Sequence, residues 1–241
     1  MRAFRILAIV ALFLTQFAAA RAGDVANLRI LGFSADGGIF AFEEYGVQDG
    51  SGFPYVNRFY IDTASDSFIA GTPIRVRIED EAATLAAARA EARTRGEAIV
   101  PSAVLDANPG YTAGLSPVTE LSADPFRMAV NQRPVFPPID PPLEFRLEEI
   151  ALPVPARCAD LGEIVGFTLT RVRAEAGGTS SLVHRDSAIP ASRNCPTGYR
   201  LGAVQTWHGD GGLPVFAVLI AIRSFGFEGP DYRWIAVTGH L

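Results

Sequence analysis

Two His-x-Asp tripeptides carry the side chains of this chain that are best suited to metal chemistry. They are His184-Arg185-Asp186 and His208-Gly209-Asp210. Because residues i and i+2 of a β-strand share a face, each tripeptide places an imidazole beside a carboxylate, and both groups are ligands for zinc and manganese. The pattern predicts a divalent-metal site of His184, Asp186, His208 and Asp210, and hence a metal-dependent hydrolase that activates water.

A structural interpretation competes with this metal site. Asp210 begins an Asp-Gly-Gly sequence typical of a tight turn, and Arg185 or Arg193 is available to neutralise Asp186. In that case the two tripeptides stabilise the fold and bind nothing. We therefore predict no cofactor for the protein and keep a divalent metal for the hydrolase alternative alone.

Other catalytic signatures are missing from the sequence. All 21 basic residues are arginine, which excludes Schiff-base lysines and the lysine of a phosphate loop. No Gly-x-Ser-x-Gly sequence occurs. Glu43 and Glu44 are neighbours, so on a strand they point to opposite faces, and we expect them where the strand reaches solvent. These observations favour a non-catalytic binding or envelope-associated module over an enzyme.

The first 22 residues predict an export signal. Arg2 and Arg5 form a basic start, residues 6–17 are largely apolar, and Ala20-Arg21-Ala22 is a small-x-small cleavage sequence before Gly23. The apolar run is shorter than the ~20 residues that cross a bilayer. We expect a periplasmic or secreted protein that has no membrane span after cleavage.

The charge and the cysteines agree with this compartment. The formal charge is 21 − 26 = −5, and removing three arginines with residues 1–22 changes it to 18 − 26 = −8. An acidic chain repels phosphate backbones, so nucleic acid is excluded as a partner. Cys158 and Cys195 are the two cysteines, and an even number in an oxidising compartment predicts a disulfide.

Both ends of the chain have the pattern of β-strands joined by tight turns. Near the N-terminus the predicted strands are residues 28–33, 39–45, 57–62 and 67–70, and near the C-terminus they are 215–222 and 232–237. The two ends share one order of features: an Asp-Gly-Gly turn, an apolar run, a Gly-containing loop, and a strand with an arginine near its start. From the aspartate of the turn to this arginine, the distance is 58 − 36 = 22 residues at one end and 233 − 210 = 23 at the other. The spacing indicates two related β-modules.

The middle of the chain has a different pattern. Residues 81–95 predict a surface helix, capped by Asp80, ended by Gly96 and packed through small side chains. Residues 101–125 are predicted to be loop, and residues 133–142, with five prolines, an extended connector. Further strands are predicted at 143–152, 164–174 and 180–184.

The expected fold is all-β, with blade-like antiparallel meanders in an open propeller-like or two-sheet sandwich arrangement and one inserted helix. It forms one domain from 23 to 241, with two halves, 23–132 and 143–241, on either side of the connector.

Several motifs resemble those of a family of secreted bacterial proteins. Gly-Phe-Ser-Ala-Asp-Gly-Gly at 32–38 and Ser-Phe-Gly-Phe-Glu-Gly-Pro-Asp at 224–231 are the longest, and residues 40–46, 48–55, 79–82, 189–193 and 195–196 extend the similarity. The chain resembles the DUF2259 family, and the resemblance implies export but no activity. Residues 33–37 and 40–42 are also similar to the blade motif of TolB-like propellers, which bears on fold alone.

A loop near the C-terminus is the expected contact with a partner. Phe225, Phe227 and Pro230 lie among turn residues between two predicted strands. Apolar side chains exposed on a loop are typical of protein-binding surfaces. We therefore predict an apolar patch there, and an envelope or periplasmic protein as the partner.

Overall fold

The computed structural model describes residues 23–173, 178–209, 212–226 and 228–241. The predicted export signal, residues 1–22, lies outside the described residues. Within them, each helix is too short or too polar to cross a membrane.

Antiparallel strands dominate the described structure, as the all-β prediction required. The elements in chain order are β1 (Asn27–Phe33), β2 (Ile39–Val47), β3 (Pro54–Asp62), β4 (Ser67–Phe68), β5 (Ile74–Arg77), α1 (Leu85–Gly96), α2 (Ser102–Ala107), β6 (Tyr111–Leu115), β7 (Arg127–Val130), β8 (Leu143–Ala151), β9 (Val165–Arg173), β10 (Ser180–Arg185), β11 (Pro196–Trp207), β12 (Val215–Ser224) and β13 (Asp231–His240). Short 3-10 turns occupy Ala156–Cys158 and Ala191–Arg193.

The strands form three antiparallel sheets. The first sheet has the order β1-β2-β3-β4, with β5 also paired to β3; the second has the order β10-β9-β8-β7; and the central sheet has the order β13-β12-β11-β6. Strands β6 and β7 precede the proline-rich connector, yet they pair with β11 and β8 beyond it. Backbone hydrogen bonds therefore join the two halves of the chain.

The central sheet lies between the other two because its strands are apolar on both faces. Residues 215–222 of β12 are all buried. The odd-numbered members, such as Leu219, pack with Phe42 and Phe59 of the first sheet, and the even-numbered members, such as Ile220, pack with Phe167 of the second. Alternate residues of a strand point to opposite faces, so one apolar run supplies both cores.

Helix α1 covers the outer face of the first sheet through its small side chains, as predicted. Ala88 and Ala92 are fully buried in a cluster with Val56 and Tyr60 of β3. The predicted start at residue 81 is wrong, because Thr84 is the N-cap and its Oγ1 accepts from the backbone N–H of Ala87 at 3.1 Å. Asp80 instead closes the preceding turn, where it accepts from the N–H of Ala82 at 2.9 Å.

The prediction of loop for residues 101–125 is also wrong, since this segment contains α2 and β6. Strand β6 has the sequence Tyr-Thr-Ala-Gly-Leu and only partly buried or exposed side chains, so it lacks an apolar alternation. Its hydrogen bonds to β11 create the strand, and this pairing spans about 90 residues of chain, as in the pair Thr206 and Tyr111. The connector at 133–142 has no regular element, as expected.

Gly96 is required where the end of α1 meets the first sheet. A methyl group on Gly96 would collide with the Tyr60 hydroxyl, and Tyr60 is fully buried. We expect Gly96→Ala to lower the free energy of unfolding by about 1–3 kcal/mol through overpacking, despite a gain of about 1 kcal/mol in helix propensity. Urea unfolding measures the change. Thr94→Ala on the exposed face of α1 is the control and should be close to neutral; equal stability of both variants would contradict close packing at Gly96.

Candidate functional site

A pocket of about 310 Å³ lies between the outer face of the first sheet and the two helices. Four arginines line it, and we call it the arginine pocket. Its described lining consists of Arg29, Arg58, Arg89, Arg93, Glu43, Asp106, Ser102, Leu31, Leu105, Ala86 and Ala90. The four arginines and two acids give 4 − 2 = +2 charges, in a chain whose overall formal charge is −5.

The floor of the arginine pocket is a row of charged side chains across three strands. Glu43 of β2 is paired with Arg29 of β1 on one side and with Arg58 of β3 on the other. Directly opposite residues in an antiparallel sheet project from the same face, so the three side chains share the outer face. The neighbours of Glu43 in sequence, Phe42 and Glu44, project to the inner face by the same alternation.

Glu43 takes its hydrogen bonds from the helix and not from this row. The Arg89 guanidinium of α1 donates to its Oε1 from Nε at 3.0 Å and from Nη2 at 2.6 Å. Arg89 also lies over the Tyr45 ring, with 4.2 Å between the guanidinium carbon and the ring centroid. Arg93, one turn further along α1, donates from Nε to the Ser102 hydroxyl at 3.2 Å. The pair Glu43–Arg89 thus fixes α1 over the pocket.

Two guanidinium nitrogens of Arg58, in the pocket floor, have no hydrogen-bond partner among the described residues. Its side chain is 4% exposed, and its Nε lies 3.9 Å from Glu43 Oε2, which is an ionic contact too long for a hydrogen bond. Nε and Nη1 are buried without a partner among the described residues, and so is the Tyr60 hydroxyl nearby. A buried cation with unmet donors is strongly unfavourable. An ordered water, an ion or a ligand bound at Arg58 would satisfy these donors.

Glu44 has a structural role on the opposite face. Its Oε1 accepts from the Asn57 amide at 2.8 Å, and its Oε2 accepts from the backbone N–H of Trp234 at 2.6 Å. Burial raises the pKa of Glu44. The expectation that Glu43 and Glu44 reach solvent is wrong, because each is only 3% exposed. The strand is covered on one face by the central sheet and on the other by α1.

The first His-x-Asp tripeptide forms an ion-pair network in the second sheet. Asp186 Oδ1 lies 2.9 Å from His184 Nε2, while its Oδ2 accepts from Arg193 Nη1 at 2.6 Å and from the N–H of Phe167 at 2.9 Å. Burial raises the pKa of Asp186, but the hydrogen bonds from His184, Arg193 and Phe167 outweigh it, so the net shift is downward. Arg193 therefore neutralises Asp186, as the structural interpretation proposed.

His208 of the second tripeptide lies beside another sheet. His208 follows the end of β11 in the central sheet, where burial lowers its pKa. Asp210 lies outside the described residues. In the remaining chain no group of three or more His, Cys, Asp or Glu side chains is arranged to hold a metal ion. Because Asp210 is not among the described residues, the four-ligand site stays a prediction.

The cysteines and the C-terminal loop complete the predicted sites. Cys158 and Cys195 form a disulfide, with 5.6 Å between their Cα atoms, and pack with Ile164 and Ile189. Phe225 is 66% exposed and Pro230 is also exposed, while Phe227 lies outside the described residues. Partner binding at this loop stays a prediction.

The comparisons with known proteins give one match. The model of a family described as "Predicted secreted protein (DUF2259)" matches residues 41–240. No curated protein and no solved structure matches the chain. The family description agrees with a periplasmic or secreted location. The similarity to a TolB-like blade motif is supported by none of these matches.

Proposed function

Because the chain belongs to the DUF2259 family of predicted secreted proteins, we propose that it is an exported, non-catalytic binding protein whose ligand site is the arginine pocket. The observation that carries the proposal is Arg58, a buried guanidinium with unmet donors in the pocket floor. The volume, about 310 Å³, falls at the lower end of the range for small-molecule sites. The site is formed by strands and a helix, which hold a ligand more rigidly than loops do.

The lining of the arginine pocket suits binding better than catalysis. Among the described lining residues there is no histidine or cysteine, and Ser102 is the single hydroxyl. The Ser102 hydroxyl donates to Glu97 and accepts from Arg93. An activated serine needs an adjacent base that takes its proton within a triad-like arrangement. Ser102 instead links α1 to α2, because Glu97 also accepts from its backbone N–H at 3.0 Å.

The metal-dependent hydrolase has less support than the binding protein. His184 and Asp186 are engaged with each other and with Arg193. A metal ion at Asp186 would have to compete with the guanidinium for the same oxygen, Oδ2. None of the described contacts favours hydrolysis over this ion-pair network.

A variant that fills the arginine pocket tests the proposed function without changing its charge. Ala90 lines the pocket from the exposed side of α1, whereas Ala87, on the same helix and also exposed, does not line it. We expect one or more small molecules from a panel of sugars, amino acids, carboxylates and phosphate esters to raise the melting temperature saturably, because a ligand of the folded state stabilises it. Ala90→Trp should abolish this shift and Ala87→Trp should preserve it.

Two results would contradict the proposal. One is a panel in which no compound shifts the melting temperature in an Ala90-dependent way. The other is chemical conversion of the bound compound, detected by mass spectrometry after incubation with the purified protein.

A further inference from the structure

We infer that the ligand of the arginine pocket is a compact oxyanion, namely a phosphoryl group presented as inorganic phosphate or as the phosphomonoester of a small molecule. This inference rests on the proposed function and names the class of ligand. Three features of the pocket support this ligand class: the charge of the lining, the hydrogen-bonding character of the floor, and the shape of the walls.

The charges in the lining of the arginine pocket favour an anionic ligand. The Glu43 carboxylate is matched by Arg89, which donates two hydrogen bonds to it. Arg93 is paired with Glu97 outside the lining, with 3.6 Å between Nε and Oε1. Arg29 and Arg58 then face one remaining lining acid, Asp106, so the excess is 2 − 1 = +1. Arg93 reaches solvent with 63% of its side chain exposed, whereas Arg58 is 4% exposed. An anion bound beside Arg58 would therefore balance a buried cation whose nearest Glu43 oxygen is 3.9 Å away.

The floor of the pocket offers donors to its ligand. Arg58 lines the pocket, its Nε and Nη1 are buried without a partner among the described residues, and a guanidinium has no acceptor. The geometry of guanidinium groups matches the oxygens of phosphate and carboxylate. A group with several acceptor oxygens on one centre satisfies such a floor best.

The walls have space and apolar surface for more than an inorganic ion. Leu31 and Leu105 line the pocket beside Ala86 and Ala90 of α1. A volume of about 310 Å³ is several times the roughly 30 Å³ that a water molecule occupies. A phosphomonoester would place its phosphoryl group on Arg58 and its organic part against these apolar side chains. Free phosphate would use the floor alone.

Isothermal titration calorimetry on the exported, disulfide-bonded protein tests the inference. The titrants are inorganic phosphate, glycerol 3-phosphate, glycerol and malate. We expect both phosphates to bind, the ester more tightly if the apolar walls contribute, and glycerol not to bind. Arg58→Gln should weaken binding at least tenfold, and Arg29→Gln should weaken it less because Arg29 is exposed. Arg185→Gln, an exposed arginine on β10, is the matched control.

The pH dependence separates a phosphoryl dianion from other anions. The second pKa of a phosphomonoester is about 6, so its binding should weaken as the pH falls from 7.5 to 5, whereas sulfate keeps its charge over that range. Tighter binding of malate than of phosphate, or equal affinity of phosphate at both pH values, would overturn the inference.

The inference and the proposed function fail in different ways. Suppose that a neutral or cationic compound binds, that Ala90→Trp abolishes its binding, and that Arg58→Gln leaves its affinity unchanged. The pocket then binds a ligand, but this ligand is not a phosphoryl group. If no compound binds in an Ala90-dependent way, both are wrong. Circular dichroism and the melting temperature of Arg58→Gln confirm its folding, and Arg29→Gln supplies a second variant should Arg58→Gln unfold.

Discussion

Replacing Arg58 with methionine is expected to raise the stability of the ligand-free protein while it abolishes ligand binding. Arg58 is a buried cation whose nearest carboxylate oxygen, on Glu43, is 3.9 Å away. Replacing a complete buried ion pair with apolar side chains of similar volume often stabilises proteins by about 1–4 kcal/mol, and replacing Arg58 alone comes close to this case because it leaves Glu43 paired with Arg89. We expect an increase of that order in the free energy of unfolding of Arg58→Met, since Glu43 keeps its hydrogen bonds from Arg89.

Removing the acid from the same row, by Glu43→Ala, should lower the free energy of unfolding. Glu43→Ala removes the carboxylate that faces Arg29, Arg58 and Arg89, and leaves a buried guanidinium without a counter-charge. Breaking a buried ion pair by removing one partner costs about 3–5 kcal/mol. Urea unfolding of both variants at neutral pH measures the two effects. If Arg58→Met loses as much stability as Glu43→Ala, then Arg58 stabilises the fold by itself and is not held in place for a ligand.

The double replacement Cys158→Ala/Cys195→Ala is expected to lower the free energy of unfolding by about 2–5 kcal/mol. The two cysteines are 37 positions apart in sequence, and closing a loop of that length constrains the unfolded chain by about 4 kcal/mol in the chain-entropy model. The bond ties the segment before β9 to the start of β11, so it encloses the β9–β10 hairpin.

The phosphate affinity of the double variant should show whether the disulfide has a structural role alone or also a role in ligand binding. The disulfide packs with Ile164 and Ile189 beside the second sheet, whereas the arginine pocket lies on the outer face of the first sheet. We expect the double variant to bind phosphate with unchanged affinity at a temperature where it is folded. A loss of affinity comparable with that of Arg58→Gln, without unfolding, would contradict a purely structural role.

Local patterns in the sequence were enough to predict most of the strands. The turn sequence Asp36-Gly37-Gly38 and the apolar runs beside it marked β1 and β2, and residues 215–222 marked β12. Such signals are short-range, because turn geometry and the alternation of side chains depend on neighbouring residues. The disulfide was also predictable, since two cysteines in an exported chain leave a single pairing. Strand β6 was not, because its stability comes from β11, far along the chain.

The candidate site depended on tertiary structure. Arg29, Glu43 and Arg58 lie 14 and 15 positions apart (43 − 29; 58 − 43), and nothing in that spacing marks a site. The register of β1, β2 and β3 places them in one row, and α1 then covers Glu43 and Arg58 and adds Arg89 and Arg93. The i, i+4 spacing of these two helix arginines was the one signal available in the sequence.

The environment of a charged side chain explains why the sequence could not settle its role. Glu43 and Glu44 are adjacent and identical in type, yet one accepts from Arg89 at the pocket and the other from the backbone of Trp234. Each role is set by the layer that packs on that face of β2, and layers are assembled from segments distant in sequence. Strand positions, compartment and the disulfide follow from local composition, whereas burial, charge pairing and the unmet donors of Arg58 arise only when the sheets and helices come together.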